Sequence, residues 1–322
     1  MATGALRRYG PVPLTTLEAL PGEGLLLPLG MIGAPTVAVE KLPSGDEGER
    51  LRDHVEHVTG REVVAVMSSE IGGSNGLLPV AWAAQLGLPL VDADSMGRAF
   101  PEVQMVSQHV AGRPLELIAM TDPEGTVLTL VPATPEWGER VARAAAMAFG
   151  GTATLADYVM PVADARGAVV VGSVSRALAI GRAVAAAEEP VAGLLACIDG
   201  VLLVEGKVLD VDRRTTGGFA RGSVLVEGSG AFRGRIVRLE VQNENLVALE
   251  DGVVRASVPD LITVVDSASA EAVATELVRY GQRVSVVAFP CDPIWRTPRG
   301  LEIAGPRAFG YDFDYRPIEE AG

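Results

Sequence analysis

Short apolar runs alternate with helix-patterned segments from Leu25 to about Met160, the rhythm of a sheet flanked by helices. The runs fall at residues 36–40, 62–68, 88–92 and 115–121. Between the first two, residues 45–59 space their charges over helical turns and stop at Gly60, which predicts a solvated helix. Residues 77–86 carry Pro79 in the first turn and Gly87 just past the end, the asymmetry of a short buried helix. Residues 115–121 and 126–132 flank Asp122-Pro123-Glu124-Gly125 and predict a hairpin. Residues 136–148 and 173–187 are alanine-rich helical patterns, the second with Ser173 as candidate N-cap, and both are expected to bridge two domains.

From Gly200 onward the pattern changes to short Val/Leu runs between glycine turns, at residues 201–205, 207–211, 222–227, 236–242, 246–250, 253–258 and 261–265. A helix over residues 268–280, stopped by Gly281, is expected before a strand at 283–289, and the tail from Cys291 has no clear period. The expected fold class is therefore α/β: an N-terminal α/β domain over residues 1–165, a helical connection over 166–199, and a β-rich C-terminal domain over 200–322. A length of 322 residues suits two such domains.

Charge narrows the partners. Lys+Arg 27 against Asp+Glu 41 leaves −14, which repels a phosphate backbone and an anionic membrane surface, so neither nucleic acid nor membrane is an expected partner. The first 164 residues carry 10 basic and 20 acidic side chains, so most of the excess acid lies there. Two cysteines, Cys197 and Cys291, make no framework of bridges, and no apolar stretch reaches the roughly 18 residues of a bilayer span. With no secretion-signal pattern at the start, the expected location is cytoplasmic.

The most unusual segment is Ser68-Ser69-Glu70-Ile71-Gly72-Gly73-Ser74-Asn75-Gly76, which follows a strand and opens a helix. Its glycines permit close backbone approach, and Glu70 and Asn75 are expected to face one pocket; the plainer reading is an ordinary strand-to-helix turn with a capping Asn. Both common nucleotide fingerprints are missing from it. Twenty-two residues after Glu70 comes Asp92-Ala93-Asp94, again at a strand end. In extended chain Asp92 and Asp94 point to one side and would share a proton, a cation or Arg98, or else merely shape a turn locked by Arg98. Two acidic loops at the carboxyl ends of neighbouring strands would bring Glu70, Asp92 and Asp94 into one crevice. Asn243, Glu244 and Asn245 form either an exposed turn or a polar site on a sheet rim. His54 and His57 are spaced as a candidate ligand pair on a solvated helix, and a cation held by Glu70, Asp92 and Asp94 is the more plausible divalent metal site. Cys291 reads as a buried thiol rather than a nucleophile.

Several segments taken together resemble a known family. They are Gly33-Ala34-Pro35-Thr36 through Glu40-Lys41-Leu42, the Glu70 to Asn75 loop, and Asp92-Ala93-Asp94 through Gly97-Arg98-Ala99-Phe100-Pro101. Further along come Gly206-Lys207-Val208, Gly218-Phe219-Ala220-Arg221-Gly222, Gln242-Asn243-Glu244-Asn245-Leu246, Pro259-Asp260-Leu261-Ile262 and Gly305-Pro306-Arg307-Ala308-Phe309-Gly310-Tyr311. In order from Gly33 to Ile318, the chain resembles the S-methyl thiohydantoin desulfurase-like proteins associated with hydantoinase/oxoprolinase enzymes. The resemblance implies a C-terminal domain of swivelling type and a hydrolase acting on a cyclic imidothioester or amide. Water would attack the carbon bearing the S-methyl group and methanethiol would leave. It implies Glu70, Asp92, Asp94 and Glu244 as candidate catalytic acids, and Gly72, Gly73, Asn75, Arg98, Asn243 and Asn245 as candidate holders of the small heterocyclic substrate. The family pattern begins with a further strand and a glycine-cluster loop. Residues 1–23 hold no such cluster, so a shortened or divergent start is expected. The alternatives are a non-catalytic partner or ligand-binding subunit of a hydantoinase/oxoprolinase-type enzyme, and a carboxylate-metal amidohydrolase. A homo-oligomer or a hydantoinase-type partner is the expected association.

Overall fold

The computed structural model describes residues 2–34, 37 and 40–320 of the chain. It divides into two compact units, Met1–Ser175 and Arg176–Gly322. The first is a mixed α/β sheet with helices, and the second is a curled antiparallel β-sheet, a half-barrel.

In chain order the first unit comprises α1 (Ala2–Tyr9), β1 (Leu14–Thr15), β2 (Leu25–Gly33), α2 (Glu47–Thr59), β3 (Val63–Ser68), α3 (Leu78–Leu86), β4 (Leu90–Asp94) and α4 (Ser107–Val110). There follow β5 (Ile118–Thr121), β6 (Val127–Leu130), α5 (Pro135–Ala148), β7 (Thr152–Asp157), β8 (Met160–Pro161), α6 (Val162–Ala165), β9 (Val170–Val171) and the start of α7 (Ser173–Ala186). The sheet order is β1-β4-β3-β2-β7-β5-β6, with β8 on β2 and β9 on β4. Strands β1 to β4 run parallel, whereas β7 is antiparallel to β2. One face buries Leu25, Leu27 and Leu29 of β2 and Val66 of β3 against Leu51 and Val55 of α2 and Trp82 of α3. This is the alternation of a sheet covered by amphipathic helices.

The local signals for α2 and α3 end where the glycines do: Gly60 and Gly87 both close their helices in the left-handed region, at φ 67 and 66. The 115–132 hairpin forms as β5 and β6. Other expectations are corrected. The strand expected over residues 36–40 falls largely outside the described residues, and the strand that precedes it is β2, which ends at Gly33. β7 was not legible, because its Thr152-Ala153-Thr154 start looks like the end of an alanine-rich helix; it lies inside the sheet, between β2 and β5. α5 belongs to the first unit rather than bridging two domains. Gly138 lies so close to Leu115, Ile118 and Pro132 that an added Cβ would stand 3.0–3.3 Å from them.

The second unit contains α8 (Pro190–Ile198), β10 (Val201–Thr216), β11 (Phe219–Gly228), β12 (Ile236–Gln242), β13 (Glu244–Glu250), β14 (Val253–Ser257), β15 (Leu261–Asp266), β16 (Arg283–Phe289) and α9 (Pro298–Ala304). Its sheet order is β14-β13-β12-β11-β10-β16-β15. The two strands expected at 201–205 and 207–211 are one long strand through Gly206. An added Cβ there would stand 1.9 Å from the Glu227 carbonyl oxygen, so glycine is what lets β10 and β11 stay in register. The helix expected over residues 268–280 does not form. The segment lies along β15 instead: Ala272 bridges Val265, Val273 N donates to Val264 O, and Asp266 Oδ1 accepts from the Ala268 and Ser269 amides. Long-range backbone bonds and burial of Val278 outweigh the local helical spacing. No helix among the described residues is long and apolar enough to cross a membrane.

Candidate functional site

β3 and β4 are parallel neighbours with Ser68 in register with Asp94, so the loops leaving their carboxyl ends start side by side. After β3 the chain turns through Gly73, at φ 51, and a short 3-10 turn at Gly73–Gly76 before α3. Asn75 holds this turn against β2. Its Oδ1 accepts from Met31 N at 2.8 Å, and its Nδ2 donates to Met31 O at 3.3 Å and to Glu70 Oε1 at 2.8 Å. The Glu70 carboxylate is thus oriented by an amide that is itself fixed to the sheet. Gly30 makes the approach feasible, since a Cβ there would stand 3.0 Å from Ser69 Cβ. At Gly72 a Cβ would stand 2.9 Å from Ala99 Cβ, which brings the Glu70 loop onto the loop after β4.

Asp94 is fully buried. Its Oδ2 accepts three backbone amides, from Ile71 at 3.0 Å, Met96 at 3.0 Å and Gly97 at 2.7 Å. One carboxylate oxygen therefore ties both loops together. The other, Oδ1, is buried and has no hydrogen-bond partner among the described residues; so are the hydroxyls of Ser68, Ser69 and Ser173. Burial pushes the Asp94 carboxyl up to about 7. The Gly97 and Met96 amides, the adjacent Ser173 hydroxyl and the Ile71 amide pull the other way. Ser173 stands beside this carboxyl without completing a hydrogen bond to it.

Asp92 does not share a proton or a cation with Asp94. Its Oδ1 accepts from Ser175 N at 2.9 Å and its Oδ2 from Ser175 Oγ at 2.6 Å, so it caps α7, which starts beside β4 just after β9. The expected cap, Ser173, leaves that role to a residue 83 positions away in sequence from Ser175. Two acids two apart on one strand find separate donors because a helix N-terminus and a tight turn each offer unpaired amides. Arg98, nearly buried, lies over the Phe100 ring at 4.3 Å and donates from Nε to Ala99 O.

Glu244, Asn243 and Asn245 lie in the second unit, at the β12–β13 hairpin. Asn243, at φ 57, pairs with Ala220: its backbone N donates to Ala220 O, and its Oδ1 accepts from Ala220 N. Asn245 Nδ2 donates to Ile262 O on β15, linking strands near opposite ends of the sheet order and so drawing the curl closed. Asn243 thus serves the half-barrel backbone, and Asn245 does so through Nδ2, while its Oδ1 is buried with no hydrogen-bond partner among the described residues. Among the described residues no group of three or more His, Cys, Asp or Glu is arranged to hold a metal ion. Glu70, Asp92 and Asp94 therefore do not fit the divalent cation expected there. His54 is bonded to Thr129 Oγ1, and His57 faces outward.

Asp157 is a site-grade acid that sequence reasoning missed. It is buried at the end of β7 with Oδ1 unpartnered, and burial, with the nearby Glu139 charge, pushes it up to about 7. Its only sequence signal was a lone acid closing an apolar stretch.

Two family models span the chain: "S-Me-THD-like, N-terminal domain" matches residues 1–131 and "S-Me-THD-like, C-terminal domain" matches residues 133–318. The chain belongs to the S-Me-THD-like family. The loops just described, Glu70 to Asn75 and Asp92 to Pro101, both fall within the match to this family's N-terminal domain. A crystal structure of a protein from Chromobacterium violaceum is similar at 23% identity, with a TM-score of 0.79 over 95% of this chain and 87% of that one. At that identity the likeness shows the fold alone. Among curated proteins none matches.

Proposed function

We propose that this S-Me-THD-like protein hydrolyses a small cyclic thiohydantoin/hydantoin-type substrate, with Asp94 as the base and Glu70 beside it in the same loop cluster. The observation that carries this reading is the divided carboxylate of Asp94: three amides hold Oδ2, while Oδ1 is buried and uncommitted. A carboxyl whose proton affinity lies near neutrality both takes a proton from water and returns it, as general acid–base catalysis requires. In the reaction, water loses a proton to Asp94 as its oxygen bonds to the ring carbon bearing the S-methyl group. The C=N electron pair moves to the ring nitrogen, which takes up water's second proton; the C–S bond then breaks, methanethiolate leaves and takes up the proton held by Asp94, and the carbon becomes the carbonyl of a hydantoin. Glu70, held by Asn75, is suited to bind a ring N–H as an acceptor.

The test is methanethiol release from an S-methyl thiohydantoin, with heterocycle binding followed by calorimetry. Turnover by the parent protein, lost in Asp94→Asn, supports the reading. Binding without turnover in the parent protein would overturn it and indicate a ligand-binding subunit.

A further inference from the structure

The chain entering α7 is fastened to β4 at several points. Strand β9 pairs antiparallel with the end of β4, Val171 opposite Ala93 and Val170 opposite Asp94. Gly172 N then donates to Asp92 O at 2.7 Å, and the Asp92 carboxylate takes both the amide and the hydroxyl of Ser175. The residue enclosed by these attachments is Ser173. It is 5% exposed, and its hydroxyl is buried without a hydrogen-bond partner among the described residues. It stands beside the Asp94 carboxyl, whose Oδ1 is in the same condition.

Two unpaired polar atoms buried side by side are costly, and rotation of the serine side chain would satisfy both. We propose that Ser173 is a positioning residue for Asp94: its hydroxyl donates to Oδ1 of the carboxylate and accepts from Oδ1 once that oxygen carries a proton. The proposal rests on the reading of Asp94 as the base. A backbone amide on Oδ1 would favour the ionised form alone, because an N–H donates and cannot accept. A hydroxyl does both, so it holds the carboxyl in one orientation as the proton comes and goes. The second lone pair of Oδ1 stays available for the attacking water.

The charged and titratable side chains of the neighbouring elements are engaged elsewhere. Glu70 is bound by Asn75, Asp92 by Ser175, and His109 of α4 by the Gln104 carbonyl. Arg98 lies over the Phe100 ring and donates to Ala99 O. Strands β1 and β3, helix α3 and residues 170–175 carry no ionisable side chain. The Ser173 hydroxyl is therefore the group that α7 brings to Asp94, while the Ser175 amide of the same helix goes to Asp92.

The experiment compares the full-length parent protein with Ser173→Ala by two measurements. In the pH profile of methanethiol release, the variant's acid limb is expected to lie about one pH unit higher, because one donor to the carboxylate is gone. Its rate should then be roughly fivefold lower at pH 7 and nearly equal to the parent's at pH 9. The second measurement needs no substrate: carboxyl titration by carbon-13 NMR in aspartate-labelled protein, with Asp94 assigned from Asp94→Asn. The Asp94 midpoint in Ser173→Ala is expected to rise by the same unit. An equal midpoint in the two proteins, or a rate loss of the same size at every pH, would overturn the proposal. A parent protein that releases no methanethiol would instead overturn the hydrolase reading, and the NMR midpoints would still decide whether Ser173 governs Asp94.

Discussion

At the residue scale, the two oxygens of Asp94 have different work. Replacing the side chain by Asn keeps an oxygen for the Ile71, Met96 and Gly97 amides but removes the exchangeable proton. Asp94→Asn is expected to fold normally and to lose roughly 100-fold or more of methanethiol release, the usual contribution of a general base. In the parent protein the rate should rise with pH through about 7, since the base works only when ionised and burial raises its affinity for a proton. A flat profile between pH 5 and 9 would count against Asp94. Asn75→Ala removes the amide that joins Glu70 to β2 and leaves Met31 N without its acceptor. It should lower stability by about 1–3 kcal/mol in urea titrations. That the loops carrying Glu70, Asn75 and Asp94 leave the ends of neighbouring strands was legible in the sequence, because strand ends followed by glycine turns carry local signals. The capture of Asp92 by Ser175 was not, since nothing near position 92 announces a helix that begins some eighty residues later.

At the element scale, the Asn245 side chain ties β13 to β15 in the second unit's curled sheet. Asn245→Ala would leave the Ile262 carbonyl on β15 unpaired. It should speed amide exchange in Leu261–Asp266 while leaving β10 and β11 protected, because their pairing does not pass through Asn245. Residues 268–280 teach the complementary lesson. Their helical spacing is real, but the edge of β15 offers backbone partners and the core offers Val278 a buried place, so the segment lies along the strand. Strands such as Ile236–Gln242 and Arg283–Phe289 match their sequence limits because period-two apolar runs between turn residues leave no rival conformation.

At the scale of the whole molecule, two buried acids set the pH response. Asp94 and Asp157 have folded-state proton affinities raised to about 7, above those of an unfolded chain. A raised carboxyl means that the native state holds its proton more tightly. Stability from these groups is therefore full below about pH 4 and declines as pH rises towards 7. Asp157→Asn should accordingly raise the melting temperature at pH 8 and change it little at pH 4, as read by calorimetry. A lower melting temperature at pH 8 would show that the Asp157 charge is compensated. The thiols provide a second check. Cys197 is exposed, whereas Cys291 is buried and its thiol is pushed up to about 12 by burial and the Asp260 charge. A thiol reagent should count one cysteine in the native protein and two in denaturant.

Helix ends, the β5–β6 hairpin, most of the second unit's strands and the acidic loops after β3 and β4 were determined by the sequence alone. Each depends on glycine, proline or polar residues acting on their immediate neighbours. Tertiary structure decided that β7 lies inside the sheet between β2 and β5, that Asp92 caps a helix distant in sequence while Asp94 joins two loops, and that Asn243 and Asn245 bind the half-barrel's own backbone. Those outcomes depend on which amides and carbonyls burial leaves unpaired, a quantity that exists only once remote segments have met.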